Sequence, residues 1–322
     1  MIDYIRIDYH FTDKDTPNLQ DFQGVSPDKY GWKRIELQGF APIAIGLNER
    51  SGILRVKGSF MYFFQGHNFT FSRDGFIEVV EVVGGRFNIN LWDGCVEELE
   101  VAVIVEVDRP PMSYIKNHWE PNGWWGSTYK TTRYFVKGKA LKKENAELYL
   151  RMYDVGKNLR YKCRGMDLQE IGLVSGKYYL KFEIHYNKPH KSLKRGGILR
   201  LRDVFTRQMQ EGLKGDIRAY YGQLRRNYVV IPPNDRKTFD TSMIFAVYGL
   251  GKAVNSGQSI LEAKKDICDM INQNPAFTKE DKANRRRGVK KVMDKVGDNA
   301  IDGWDLSGII NRQLEQEEII TL

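Results

Sequence analysis

Cysteine is scarce. The chain of 322 residues holds three, Cys95, Cys163 and Cys268. They are far apart, form no CxxC pair and cannot all pair within one chain. Reduced thiols in a cytoplasmic compartment are therefore expected. Long apolar runs are missing too. None reaches the roughly 18 residues of a spanning helix, so no membrane partner is expected. The opening MIDYIRIDYHF has no basic stretch followed by an apolar one, so no secretory signal is read there. Neither an internal repeat nor a long low-complexity tract is found.

What is present is a globular composition with a basic balance. Hydrophobic residues make up 41% and mean hydropathy is −0.51, which excludes a disordered chain. The net charge is +9. Residues 195 to 295 hold 21 Lys and Arg against 11 Asp and Glu, so the whole excess lies in that stretch. A concentrated positive charge points to a polyanionic partner.

Two kinds of pattern follow one another. Up to about residue 190 the chain reads as strands with helices between. IDYIRIDYHF, VEELEVAVIVEVDRPP, Thr131 to Val136, AELYLRMYDV and KYYLKFEIHYN alternate or run apolar and are rich in β-branched and aromatic residues. The run Val101 to Val105 predicts a central, doubly buried strand. GILRVKGSFMYFFQG reads as one or two strands. FSRDGFIEVVEVVGG reads as a short helix with a strand as the alternative, capped by Ser72 or Asp74 and stopped at Gly84-Gly85. NHWEPNGWWGST reads as a loop. Past residue 195 helical spacing with basic faces takes over. Pro232-Pro233 marks a linker. Four helices follow, in TSMIFAVYGLGKAV, SILEAKKDICDMIN, TKEDKANRRRGVKKVMDKV and DLSGIINRQLEQEE, with Ser259 and Thr278 as starts. The expected fold is α+β, with domains at 1–205 and 206–322 and a basic, mostly helical second part.

Chemistry-bearing side chains interrupt three of the strands. Glu100 lies in LEVAVIV, Tyr153 in LYLRMYDVGK, and Glu183 with His185 in FEIHY. Residues 183 and 185 share a face of a strand. A carboxylate and an imidazole there could hold a divalent cation, and a cation beside a tyrosine suits phosphodiester cleavage. A lone strand Glu ordinarily faces solvent, and Tyr153 is one of 17 tyrosines. Pattern alone does not make an enzyme of this chain.

The order of motifs adds to this. MIDYI, FFQGHNF, a helix, LEVAV, LRMYDVGKNL and YLKFEIHY occur in series over about residues 1 to 205. The series resembles the replication initiators of filamentous phages, the gene II protein family, and the related rolling-circle plasmid initiators. The resemblance implies a nickase domain of the HUH type, with a central antiparallel sheet flanked by helices. It implies that a tyrosine attacks DNA and becomes joined to the 5′ phosphate, with Mg²⁺ or Mn²⁺ assisting. By position Tyr153 matches the nucleophile and Lys157 stands near the motif's lysine. Glu100, Glu183, His67 and His185 are the implied metal ligands. The expected partners are single-stranded or supercoiled origin DNA and a host helicase, in the cytoplasm of a bacterial host. The sequence also departs from the family pattern. Val155 and Asn158 stand where the tyrosine motif has Lys and Glu, Glu98-Leu99-Glu100 replaces Arg-Ile-Asp, and no His-hydrophobic-His triplet occurs. An active initiator and an inactive, DNA-binding or structural relative both remain open.

Two further features fit a DNA partner. Arg285, Arg286, Arg287, Lys290 and Lys291 would cluster on a helix facing phosphates, or simply on a solvated face. Trp124 and Trp125, between Lys116 and Lys130, would stack on bases or pack as a lid. Outside this class stand a protein–protein adaptor with a basic surface and a metal nuclease with a water nucleophile.

Overall fold

The computed structural model describes residues 2–12, 17–138, 142–162, 167, 169–194, 197–227, 229–230, 248–249, 260–297, 300–301 and 303–317. These form two compact units. The first comprises residues 1–115, 120–223 and 307–322, and the second residues 116–119 and 224–306. The helices spanning 207–223 and 307–316 thus belong with the sheet. The expected linker at Pro232-Pro233, most of the expected helix at 241–254, Ser259 and Cys163 lie outside the described residues.

The first unit is α+β around one sheet of nine strands. These are β1 (Ile2–His10), β2 (Lys33–Leu37), β3 (Ile43–Asn48), β4 (Ile53–Gly58), β5 (Cys95–Val107), β7 (Trp124–Tyr129), β8 (Thr132–Lys137), β9 (Leu148–Asp154) and β10 (Tyr178–Tyr186). The order is β2-β3-β4-β1-β5-β10-β9-β8-β7, with every neighbouring pair antiparallel. The 13-residue β5 lies at the middle, as its apolar run predicts. Val101, Val103 and Val105 are buried, opposite Ile184, Phe182 and Leu180 of β10. That face packs α7 (Arg207–Gln223): Phe182 meets Tyr221 edge-on at 5.6 Å, and Tyr186 donates to Asp216 at 2.5 Å.

The segment expected to be strand throughout, GILRVKGSFMYFFQG, divides in two. After β4, Ser59 accepts a hydrogen bond from the Tyr62 amide and opens α1 (Phe60–Gln65), which buries Phe60 and Met61. A capping serine and a one-sided apolar face outweigh the strand preference of the aromatics. The helix α2 (Arg73–Phe87) starts on Ser72, as expected, but runs past Gly84-Gly85 to Asn88 in the left-handed conformation. Gly84 tolerates no side chain, because a Cβ there would meet the Ile89 carbonyl at 2.9 Å. The expected loop at 117–128 instead contains β6 (His118–Trp119) and β7. Strand β7 lies at a sheet edge, where cross-strand partners on β8 decide its state more than local composition does.

A second cluster covers the other face of β10. Val155 and Leu159 of α4 (Val155–Lys162) pack with Ile171, Leu173 and Tyr179, against Tyr62, Phe69, Ile104 and Tyr153. The unit also holds α3 (Pro111–Lys116, whose last residue falls in the second unit), α5 (Pro189–Lys194), α6 (Leu201–Val204) and, at its end, α10 (Ser307–Gln316).

The second unit contains β6 paired with β11 (Arg225–Arg226), and β12 (Val229–Val230) paired with β13 (Ala300–Ile301). Helices α8 (Ile260–Gln273) and α9 (Lys279–Gly297) lie within it, close to the limits expected from their periodicity. Thr278 opens α9 as expected. Its hydroxyl accepts from the Asp281 amide at 3.2 Å, and the Thr278 amide donates back to Asp281 Oδ2 at 3.1 Å. No helix among the described residues is long and apolar enough to cross a membrane.

Candidate functional site

Three neighbouring strands bring their polar side chains to one face of the sheet. Across the β9–β10 ladder, Lys181 lies opposite Tyr153, Glu183 opposite Arg151, and His185 opposite Tyr149. Across β5–β10, His185 lies opposite Glu100. Directly opposed residues of antiparallel strands share a face, so all seven side chains project to one side.

Asp3 reaches the same place by an irregularity. Tyr4 pairs with Glu100, but Ile2 pairs with Val101, so the register shifts between Ile2 and Tyr4. Asp3 is the extra residue, and a bulge re-aims its side chain. The carboxylates of Asp3, Glu100 and Glu183 then offer oxygens all within 4.8 Å of one another. All are buried, at 8%, 7% and 0% exposure. Asn68, in the turn after α1, donates to Asp3 Oδ1.

Two cations lie against this group. Arg151 Nη2 lies 2.7 Å from Glu100 Oε1 and 2.5 Å from Glu183 Oε2. Lys181 Nζ, 1% exposed, lies 2.8 Å from Asp3 Oδ2 and 3.2 Å from Glu183 Oε1. Lys181 Nζ, Arg151 Nε and Glu183 Oε2 complete no hydrogen bond of sound geometry. Burial by itself would raise the Glu183 carboxyl, but Arg151 and Lys181 outweigh it and hold Glu183 below the usual range. Burial raises Asp3, against the pull of Lys181. Burial would lower the Lys181 ammonium, but Asp3 and Glu183 more than compensate and raise it.

Tyr153 completes the group. Its hydroxyl donates to Glu183 Oε1 at 2.6 Å. Burial and the Glu183 charge push its phenol well above the ordinary tyrosine value, so the proton stays on until something removes it. The ring borders a cleft of about 740 Å³, lined also by Tyr4, Tyr62, Lys130, Tyr134 and Lys157.

The donor set fits a hard divalent cation. Three buried carboxylate oxygens could hold a hard, oxygen-preferring cation, and buried Glu183 Oε2 has no well-directed donor. Asp3, Glu100 and Glu183 would hold the ion. Neither histidine belongs to the group. His185 Nδ1 contacts Glu100 Oε1 at 2.5 Å, and its ring stacks on Tyr149 at 4.6 Å. His67 is buried beside Gln65, and burial lowers its imidazole below the usual range.

The other expected residues fall elsewhere. Lys157 is exposed in the first turn of α4, its amide donating to Asp154 Oδ1 at 2.8 Å, and its side chain lines the cleft mouth. Trp124 packs edge-on to Tyr220 at 6.0 Å, and Trp125 packs against the buried cluster of Val136, Ala146 and Tyr149. On α9, Arg285, Arg286, Arg287, Lys290 and Lys291 are all exposed. Arg285 lies over the Phe277 ring at 4.1 Å, and Arg286 donates to Asn272 Oδ1 at 2.9 Å. At roughly 100° per residue, Arg286, Lys290, Arg287 and Lys291 share one side of the helix.

Asp3, Lys181 and Arg151 escape a reading of the sequence by itself. Asp3 left a trace, an acid at an apolar-phase position in IDYIRI. Lys181 left another, a lysine between Leu180 and Phe182, on the face of β10 that also carries Glu183 and His185. No protein-family model and no curated protein matches the chain.

Proposed function

We propose that this chain is a rolling-circle replication initiator with an HUH-type nickase domain. It would cut and rejoin single-stranded DNA at a phage or plasmid origin through Tyr153. One observation carries the reading: the Tyr153 hydroxyl donates to Glu183 Oε1 at 2.6 Å, inside a group of three buried carboxylates. A phenol, an acceptor for its proton and a set of hard-cation ligands are the parts a transesterification at phosphorus needs. The resemblance of the motif series supports it from the sequence side.

On this reading Tyr153 Oη attacks the scissile phosphorus and its proton passes to Glu183. The bond from phosphorus to the 3′ oxygen breaks, and that oxygen takes a proton from water. The 5′ phosphate is left as a diester of Tyr153, and the free 3′ hydroxyl serves as a primer. Rejoining runs the same exchange backwards, so no oxidant or external energy source is needed. A divalent cation held by Asp3, Glu100 and Glu183 would supply Lewis-acid stabilisation of the phosphate charge. Lys130 and Lys157 at the cleft would attract the backbone, and Tyr4, Tyr62 and Tyr134 offer faces on which bases stack. Exposed cations of α9 would add sequence-independent affinity. Origin DNA, a host helicase and the bacterial cytoplasm follow as the setting.

A second reading, a relative that binds DNA without cutting it, is favoured by the pair Arg151 and Lys181. They already neutralise much of the carboxylate charge that a metal would need. One assay separates the two. The purified chain is mixed with a labelled pool of random single-stranded oligonucleotides and Mn²⁺, beside Tyr153→Phe, and run on a denaturing gel. A labelled protein band that disappears with Tyr153→Phe supports the initiator. Absence of any band, with DNA still bound, supports the second reading. A band that survives in Tyr153→Phe assigns the chemistry to another tyrosine.

A further inference from the structure

Lys181 is an unusual neighbour for a metal site. It is almost wholly buried, and its ammonium lies between Asp3 and Glu183, at 2.8 and 3.2 Å. Nζ is 6.0 Å from the centre of the Tyr153 ring. It stands where a cation shared by those two carboxylates would stand. Arg151 holds the opposite flank, against Glu100 and Glu183.

The charge count is informative. Taken as ionised, Asp3, Glu100 and Glu183 give −3, and Arg151 with Lys181 give +2, so the resting group is −1. Adding a divalent ion with Lys181 in place would leave a buried +1. Replacing Lys181 by the ion gives zero. A buried uncompensated charge is costly, so the neutral arrangement is preferred over the positive one.

The surroundings let Lys181 leave while Arg151 stays. Asp3 and Asn68 border two clefts. One, of about 740 Å³, contains Glu100, Arg151 and Tyr153. The other, of about 680 Å³, contains Asp3, Asn68, Phe69, Tyr179 and Lys181 but neither Arg151 nor Tyr153. The ammonium therefore has space on its own side, away from the tyrosine. A lysine is suited to this, as a compact charge on a flexible four-carbon stem, whereas Arg151 carries a planar guanidinium and borders only the cleft that holds Tyr153.

We propose that the Lys181 ammonium is the resident counter-ion of the Asp3–Glu100–Glu183 group, and that a divalent cation binds there by exchange with it, Lys181 withdrawing into the neighbouring cleft. The inference rests on the same carboxylates as the proposed function but not on the nicking chemistry. It makes the metal site one that is closed by an internal cation at rest and opened by loading.

The test is Mn²⁺ binding by isothermal titration calorimetry on the full chain without DNA, comparing wild type with Lys181→Met, Lys181→Arg and the double variant Lys181→Met with Glu183→Gln. Lys181→Met is expected to bind Mn²⁺ at least tenfold more tightly than wild type. Lys181→Arg should keep the weak affinity, and the double variant should lose the gain. Equal or weaker binding by folded Lys181→Met would overturn the proposal. So would a gain that Lys181→Arg shares, or one that the double variant retains, and so would no binding by any variant. If Lys181→Met does not fold, wild-type crystals at saturating Mn²⁺ decide. An ion among the three carboxylates with Lys181 Nζ moved out supports exchange. An ion with Lys181 still between Asp3 and Glu183, or none there, refutes it. Adduct formation by wild type in a chelator would uphold the tyrosine chemistry while these results fail. A tenfold gain without any adduct would do the reverse.

Discussion

Tyr153 and Lys181 are partners across the β9–β10 ladder, and both lean on Glu183 Oε1, the phenol at 2.6 Å and the ammonium at 3.2 Å. One carboxylate oxygen therefore serves a neutral donor and a cation together. That makes Glu183 the hinge of the group, and it makes each partner's removal readable.

Tyr153→Phe removes one donor to a buried carboxylate and leaves the ring packing intact. The expected cost is about 1–3 kcal/mol, the penalty for leaving a buried acceptor short of a donor. Urea unfolding should show the midpoint lowered with the slope unchanged, alongside loss of any covalent adduct. A stability loss much larger than this would mean that the hydroxyl holds more than Glu183.

Arg151→Met should be more damaging. It strips the guanidinium from Glu100 and Glu183 together and leaves two buried carboxylates facing each other. Breaking a buried ion pair from one side costs about 3–5 kcal/mol. Arg151→Lys keeps the charge on a more flexible, more strongly hydrated group, so it should recover part of that in the same denaturant titration. Equal stability of Arg151→Met and wild type would mean that the group is not ionised as described.

His67 sets a pH dependence. Burial lowers its folded pKa below the usual 6.5, so the unfolded chain takes up a proton first as pH falls. Its contribution is complete above 6.5 and is lost as pH drops through 6.5 toward the lowered folded value. The stability difference between about pH 8 and about pH 5, both outside the usual imidazole midpoint, should therefore shrink in His67→Gln. An unchanged difference would place the acid sensitivity elsewhere.

The basic side of α9 predicts a salt effect. Replacing Arg286, Arg287, Lys290 and Lys291 by Ala should flatten the plot of log affinity against log salt for single-stranded DNA. If all four meet phosphates, the slope should fall by on the order of 3, at roughly 0.7 per contact. Fluorescence anisotropy across a salt series would measure it. A slope unchanged by the fourfold variant would leave these residues as a solvated helix face.

Much of the scaffold can be read from the chain alone, because periodicity is local. Alternation and β-branched content mark β1, β5, β9 and β10, and the valine run marks β5 as central. Ser72 and Thr278 mark the starts of α2 and α9. Local pattern was insufficient where a partner strand or a cap decided the outcome. Edge strand β7 was hidden under turn residues, and α1 under its aromatic content.

The candidate site divides in the same way. Tyr153, Glu100, Glu183 and His185 stand out as polar side chains in apolar strands, and the shared face of 183 and 185 follows from a period of two. Their meeting does not follow, since it depends on the registers β5–β10 and β9–β10, which join residues 85 and 30 positions apart, respectively. Asp3 joins them only because the β1–β5 register slips by one residue. Lys157, near in sequence to Tyr153, lies at the cleft mouth, while Lys181, 28 positions on, stands across from the phenol. The sequence determined which side chains carry chemistry and which strands they ride on, because those are properties of neighbouring residues. The tertiary structure decided which of them touch, because strand register is a long-range choice made by the packing of the whole sheet.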